Sequence, residues 1–293
     1  MNKQIVTKKW AARAKLLVAG TVTIGFMLAC AESAPVAPRQ LPPVPSSSWG
    51  GSYSYKYEPP EKKNPASVQA TIVVVNPFYK ESESALIDPL YTKVAKGFSA
   101  SMGVDMDKVV IAKGMMVKGP YTSLDDITYS DKKISDLTLV PKVFLTTQIK
   151  YVGELARHEY RNDAGKEEMR IDRKFEMKFS GWIAFVMQEP LSGEKMWIKR
   201  LELDDTVVQD IESYEAIPKY QTTRSGCFNE IEHTWLVGYD RGKLLYDGKV
   251  DAMANMLKKT YPTIMEKCWI YIDTQEVLAL QEKTKEIRVL KRY

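Results

Sequence analysis

The sequence has few of the residues that catalysis and metal binding use. It contains two histidines, His158 and His233, and three cysteines. His158 is not part of the His-Glu-x-x-His spacing of zinc proteases. His233 lies near Cys227, Glu230 and Glu232, the densest group of potential ligands in the chain. A metal site needs three or four converging ligands, and one histidine in a charged loop is more often an ordinary surface residue.

The sequence also lacks the short motifs of the common enzyme classes. It has no Gly-x-Ser-x-Gly elbow, no phosphate-binding loop, no dinucleotide fingerprint and no Cys-x-x-Cys. Its adjacent acidic pairs, such as Asp125-Asp126, point apart on one element. We therefore predict no catalytic residue, no metal ion and no cofactor.

An excess of one charge is missing as well, once the N-terminus is set apart. The chain has 42 basic and 37 acidic residues. Five basic residues and no acidic ones precede Cys30, so 37 residues of each sign remain after it. A neutral chain has no electrostatic footprint for a polyanion, which excludes nucleic acid as a predicted partner.

No hydrophobic run reaches the 20 or so residues that a membrane-spanning helix needs. The run over residues 16–28 has thirteen and follows the five basic residues, the proportions of a signal peptide. It ends at Ala29-Cys30, and a small residue before a cysteine is what lipoprotein signal peptidase cuts. We predict a lipoprotein signal peptide at residues 1–29 and lipidation, with palmitate-like chains, of Cys30. An ordinary secretory signal cut near Ala34 is the alternative.

Residues 30–65 have the composition of a linker. Eight of the fifteen prolines fall here, together with a serine run and Gly50-Gly51. Such a chain extends as polyproline II at about 3.1 Å per residue. It also carries four closely spaced aromatics, for which two interpretations are open: docking on a partner, or packing on the domain itself. These residues are Trp49, Tyr53, Tyr55 and Tyr57.

The two cysteines beyond Cys30 are Cys227 and Cys268. Disulfides persist in exported proteins, so we predict that they pair. Two buried, unpaired thiols are the alternative.

The first half of the remaining chain alternates strands and helices. The β-branched run at residues 70–75 predicts a strand buried on both faces. Apolar residues at helical spacing predict a helix over residues 84–102, with Gly103 as its C-cap. A second short strand is predicted at residues 109–112 and another helix from Ser123, which with Asp126 matches a capping box.

The second half changes to the alternation of long antiparallel strands. This pattern covers residues 137–150, 170–178, 182–187 and 196–203, with a turn at residues 189–194. Helical spacing returns at residues 250–268 and again from Thr274. We predict one α+β domain over residues 66–293: a single mixed sheet, helices on one face and a long antiparallel hairpin.

The strand and turn at residues 181–194 (GWIAFVMQEPLSGE) resemble the Glu-Pro-Met-Ser-Gly-Glu segment of the neuraminyllactose-binding haemagglutinin (HpaA-like) lipoproteins. The strand at residues 70–75 and the helix at residues 250–268 are also similar to elements of that family. The resemblance implies an outer-membrane lipoprotein with an α+β domain. The family's Lys-Arg-Thr-Ile-Gln-Lys run is absent from the corresponding residues 157–166, so no sugar-binding residue is carried over.

Three classes of function remain open. The first is a non-enzymatic subunit or scaffold of an envelope assembly such as a secretion complex. The second is a surface adhesin that binds host glycans, and the third is an enzyme, which no group of residues supports. Contacts with other envelope proteins are predicted at the four aromatics and at the turn residues Glu189, Ser192, Gly193 and Glu194.

Replacing the predicted lipidation site tests the membrane anchor. Ala31, and not an acidic residue, follows Cys30, which is typical of lipoproteins sent to the outer membrane. Cys30→Ser should abolish labelling by a palmitate analogue and release the protein to the soluble fraction. Cys227→Ser is the matched control and should keep both the labelling and the membrane association. A Cys30→Ser protein that stays in the membrane would place the anchor elsewhere.

Overall fold

A six-stranded mixed sheet in the order β2-β1-β3-β4-β5-β6 organises the part of the chain that the computed structural model describes. That part is residues 42–292 apart from 65, 78, 80–83, 162–166 and 226–230. Within it the elements are β1 (Thr71–Val75), α1 (Thr92–Ala112), β2 (Met116–Tyr121), α2 (Tyr129–Ile134), β3 (Leu137–Arg161), β4 (Glu167–Gln188), β5 (Lys195–Ser225), β6 (Ile231–Asp247), α3 (Lys249–Tyr271) and α4 (Thr274–Lys291). Cys30 lies outside the described residues.

Strand β1 is buried along its whole length, as its continuous β-branched sequence predicts. It pairs in parallel with β2 on one side and with β3 on the other. Ile72 and Val74 face the main hydrophobic core, whereas Val73 and Val75 face a smaller cluster with Ile127. Both faces of the sheet are therefore covered at β1.

Helix α1 begins and ends later than the sequence predicts. Asp88-Pro89 breaks the predicted helix at its start, where the Asp88 carboxylate accepts a hydrogen bond from the Leu90 N–H at 2.8 Å and two 3₁₀ turns form instead. The prediction of a strand at residues 109–112 is wrong, because Val109 and Val110 continue the buried face of α1. Burial against the core outweighs their intrinsic strand preference.

Gly103 lies inside α1 and does not cap it. A Cβ at this position would lie 1.9 Å from the Asn76 Oδ1 atom, so the glycine allows the helix to approach the chain after β1. The helix predicted from Ser123 is also wrong. Residues 123–126 form a turn, and α2 begins at Tyr129 with Thr128 as its N-cap.

The antiparallel strands are confirmed and are longer than predicted. β3 pairs with β4 from Thr138–Gln188 to Arg161–Glu167, and β4 pairs with β5 down to Met169–Ala216. β5 continues well beyond the predicted residue 203 and pairs with β6. The sequence analysis missed β6, because charged residues and glycine interrupt its apolar alternation.

Helices α1, α3 and α4 lie on one face of the sheet. The main core joins Phe98 of α1, Tyr261 and Met265 of α3 and Val277 of α4 to Phe185 of β4. The predicted class, an α+β domain with one mixed sheet, helices on one face and long antiparallel strands, is confirmed.

Candidate functional site

The N-terminal segment (residues 47–58) lies against the helices within the predicted linker. Tyr55 is only 6% exposed, and its ring centroid is 5.6 Å from that of Phe98 and 5.4 Å from that of Tyr261. Burial raises the pKa of Tyr55 well above its ordinary value. Of the two interpretations of the aromatics, this placement matches packing on the domain.

The other aromatics of the segment follow Tyr55 onto the same surface. Trp49 donates its indole N–H to Asn255 Oδ1 at 3.0 Å, and its ring centroid lies 5.5 Å from that of Tyr53. Tyr53 and Tyr57 are partly buried against the core. The structure brings all four predicted aromatics together with α1 and α3.

Two buried carboxylates hold the main chain of the segment. Asp105 of α1 is 2% exposed and accepts hydrogen bonds from the Tyr57 N–H at 2.8 Å and the Tyr261 hydroxyl at 2.7 Å. Asp251 of α3 accepts from the Ser47 hydroxyl at 2.7 Å and the Ser48 N–H at 3.0 Å. Buried charges need such partners, so these contacts fix the path of the segment.

The turn at residues 189–194 is a structural junction rather than an open hairpin tip. Glu189 is fully buried, accepts a hydrogen bond from the Ser192 N–H, and its Oε1 atom lies 2.9 Å from the Arg288 Nε atom of α4. Gly193 has a φ of +69°, a conformation that favours glycine. Glu194 pairs with Lys291 at 2.8 Å. Two of the predicted contact residues of the turn, Glu189 and Glu194, thus contact α4 of their own chain.

Arg288 ties this turn to a third part of the chain. Its guanidinium also donates to the carbonyl oxygens of Lys132, Lys133 and Ser135, the last at 2.7 Å. Burial by itself raises the pKa of Glu189. The hydrogen bonds from Ser192 and Arg288 outweigh burial and hold this pKa below its ordinary value.

The structure describes one of the two cysteines that were predicted to pair. Cys268 is a free, fully buried thiol of α3, and burial raises its pKa. Cys227 lies outside the described residues, so the predicted disulfide stays a prediction.

Four strands continue past the helices as a twisted sheet, here called the ribbon. Its base is one row of paired residues, Glu154, Arg173, Glu212 and Asp247, one on each of β3 to β6. The last main-core residues on β3 and β4, Tyr151 and Phe175, lie just before this row. From the row to Ser225, β5 has thirteen further residues, which span about 40 Å.

A buried polar cluster holds three strands of the ribbon together. The Oδ1 atom of Asp172 accepts from the Ser213 hydroxyl at 2.6 Å, and its Oδ2 atom accepts from Arg170 at 3.3 Å and lies 3.0 Å from His158 Nε2. Arg170 also donates to the Pro42 carbonyl at 2.8 Å. Ser213 and His158 therefore bind one carboxylate and not each other, so the cluster positions strands and does not form a nucleophile with a base.

A second cluster lies at the base of the ribbon around Glu212, which is fully buried. Its Oε2 atom accepts from the Tyr151 hydroxyl and from Arg241, both at 3.2 Å, and lies 3.6 Å from Lys249 Nζ. This carboxylate joins β3, β5, β6 and the start of α3. Paired charges thus join the base of the ribbon to the start of α3.

The ribbon exposes apolar side chains on three strands. Sequence analysis missed them, although β-branched and aromatic residues recur along these strands. The exposed residues are Leu155 on β3, Ile217 and Tyr220 on β5, and Leu236, Val237 and Leu244 on β6. Exposed apolar residues that recur on neighbouring strands are typical of interaction sites, which makes the ribbon the candidate functional surface.

Among the described residues, no group of three or more His, Cys, Asp or Glu side chains is placed to hold a metal ion. His233 has no described side chain. No helix in the described ranges is both long and apolar enough to cross a membrane.

Comparisons with known proteins find only distant likeness. No family model and no curated protein matches the chain. Among solved structures, a neuraminyllactose-binding hemagglutinin homologue from Helicobacter pylori matches with 14% identity and a TM-score of 0.46, over 78% of this chain and 97% of that one. Lipoprotein GNA1162 from Neisseria meningitidis matches with 11% identity and a TM-score of 0.21, over 48% and 83%. Hypothetical protein CT253 from Chlamydia trachomatis matches with 7% identity and a TM-score of 0.18, over 50% and 74%.

Replacing Tyr55 tests whether the N-terminal segment belongs to the fold. Tyr55→Ala leaves a cavity between α1 and α3 and should lower the free energy of unfolding by about 3 kcal/mol in denaturant titration. Tyr55→Phe is the matched control: the Tyr55 hydroxyl is buried without a hydrogen-bond partner among the described residues, so its removal should be neutral or stabilising. Equal stability of wild type and Tyr55→Ala would contradict the packing.

Separating Arg288 from Glu189 tests the junction at the turn. Arg288→Ala leaves a buried carboxylate unpaired and should cost about 3 kcal/mol, whereas adding Glu189→Gln should recover part of the loss. Because the folded-state pKa of Glu189 is depressed, its contribution is complete above the ordinary value of 4.5 and is lost as the pH falls through the depressed value. Thermal melts from pH 7 to pH 3 should show a smaller loss in Glu189→Gln than in wild type. Parallel melting curves for the two proteins would argue against the ion pair.

Proposed function

We propose that this protein is a lipid-anchored, non-enzymatic subunit of an outer-membrane assembly, and that the ribbon is its contact surface. The signal peptide and Cys30 support the location. The observation that carries the proposal is the ribbon, which extends past the helices and exposes apolar side chains on three of its four strands.

The reactive groups of the described chain support a structural role. Asp172 contacts Ser213, Arg170 and His158. Glu212 contacts Tyr151, Arg241 and Lys249. Each carboxylate joins neighbouring strands. Charged groups that pair with one another in this way stabilise a rigid surface for a partner.

The docked N-terminal segment supports an arrangement close to the membrane. Arg170 holds the carbonyl of Pro42 beside the ribbon. Eleven residues lie between Cys30 and Pro42, and such a chain spans at most about 40 Å in any conformation. If Cys30 carries the lipid, the ribbon lies within that reach of the bilayer, less than half the length that a free linker to residue 65 would allow.

The size of the protein in mild detergent extracts of the outer membrane tests this proposal. Wild type should run far above 33.3 kDa, the mass of one full-length chain before signal cleavage. A variant with Leu155→Ser, Ile217→Ser and Tyr220→Ser should run at monomer size with an unchanged melting temperature, because these side chains are 54% to 61% exposed.

The matched control is Val289→Ser with Leu290→Ser, which removes two exposed apolar side chains from the end of α4. It should leave the size of the assembly unchanged. A monomeric wild type would contradict the proposal. If that monomer were also cleaved by protease added to intact cells, the surface-adhesin alternative would be favoured.

A further inference from the structure

The ribbon has two long edges whose main chains have a strand on one side only, within the described residues. β1 pairs with β3 only near its start, at Leu137 to Leu139, and the Leu145 N–H meets the Ser84 hydroxyl. From residue 147 to Arg161, β3 pairs with β4 alone. β6 pairs with β5 alone over its whole length. Exposed edges of this kind are templates for pairing with another chain.

The two edges are at the same height and run in opposite directions. Glu154 on β3 and Asp247 on β6 belong to the same row across the ribbon, and both edges continue outward from that row. The ribbon has four antiparallel strands, an even number. Two copies placed side by side in the same orientation therefore bring β6 of one against β3 of the next as an antiparallel pair.

The two edge segments are each neutral in net charge. Residues 154–161 of β3 and residues 239–247 of β6 both include two basic and two acidic residues. Charge therefore does not oppose the approach of two copies at these edges. Both edges also expose leucines near the shared row, Leu155 at 60% and Leu244 at 41%.

One contact already links the two edge strands within a single chain. The guanidinium of Arg157 lies 5.0 Å from the ring centre of Tyr239. This contact is between side chains and leaves the edge main chains of both strands unpaired. Any test must therefore distinguish contacts between copies from contacts within one.

From these observations we propose that a second copy of this chain is the partner of the ribbon, with β6 residues 239–247 of one copy paired with β3 residues 154–161 of the next. The inference rests on the proposed function and names the first contact of that assembly. Because the contact joins two different edges, it repeats from copy to copy and produces a ring or a filament rather than a closed dimer.

Cross-linking between two distinguishable full-length copies tests this pairing in the membrane. One tagged copy carries Leu155→Cys and a differently tagged copy carries Leu244→Cys, both with Cys227→Ser. Cys268 is fully buried and does not compete for the reagent. A short bis-maleimide should join the two tags in one covalent product. Because Cys30 carries the proposed lipid and Cys268 is buried, each chain has one reactive cysteine, which excludes a cross-link within one copy.

Three controls decide between arrangements. Leu155→Cys alone and Leu244→Cys alone should give no covalent dimer, and a dimer from either one at a comparable yield would overturn the head-to-tail pairing. Val207 is 54% exposed on β5 before the row, where β6 does not pair with β5, so Val207→Cys should not replace Leu244→Cys. Absence of any cross-link from an assembly that still runs far above monomer size would overturn this inference and leave the proposed function standing, with another protein as the partner.

Discussion

The pairing of β4 with both of its neighbours along almost its whole length is the constraint on which the rest of the structure depends. It pairs with β3 and β5 from Gln188 to Met169, with local register shifts on both sides. From Gln188 to Phe175, side chains such as Phe185 and Phe175 enter the core. Beyond Phe175 the main core ends and the same pairing continues into the ribbon. The ribbon is thus a continuation of the central sheet, not a separate hairpin.

Two kinds of interaction replace the core where the helices end. At the base, the buried carboxylate of Glu212 binds Lys249 and Arg241. Further out, Asp172 joins Arg170 and Ser213. The contacts of Glu212 with Tyr151, Arg241 and Lys249 all reach its Oε2 atom, and its Oε1 atom is buried without a hydrogen-bond partner among the described residues. Removing one partner of such a buried charge is strongly destabilising, even where the pair itself adds little to stability. These contacts account for charged residues at positions where apolar alternation would be expected.

The sequence predicts best those elements that have one clear buried face. The alternation in β3 and β4 and the helical spacing in α3 each reflect contact with the main core, and all were identified. The prediction failed at residues 84–112, where Asp88-Pro89 shifts the start of α1 and where Val109 and Val110 satisfy a helical face as well as a strand. It also missed β6, an edge strand that contributes no described side chain to the main core.

The contacts at the candidate sites could not be predicted, because they join residues that are distant in the chain. Glu189 and Arg288 are 99 residues apart, and Asp105 and Tyr261 are 156 apart. No local sequence pattern indicates such pairs. For this reason, partner contacts were predicted at the turn at residues 189–194 and considered for the aromatic segment.

The turn at residues 189–194 and the ribbon lie at opposite ends of the domain. β4 runs from the ribbon at residue 167 to the turn at Glu189, so Arg288 and the end of α4 lie at the opposite end of the strand from the ribbon. The described chain starts beside the ribbon, at the contact of Pro42 with Arg170. With the proposed lipid at Cys30, the attachment would pull on the ribbon end of the domain and not on the α4 end. Under that proposal, anchored copies would meet at a high local concentration, which is the condition under which edge pairing between chains is most favoured.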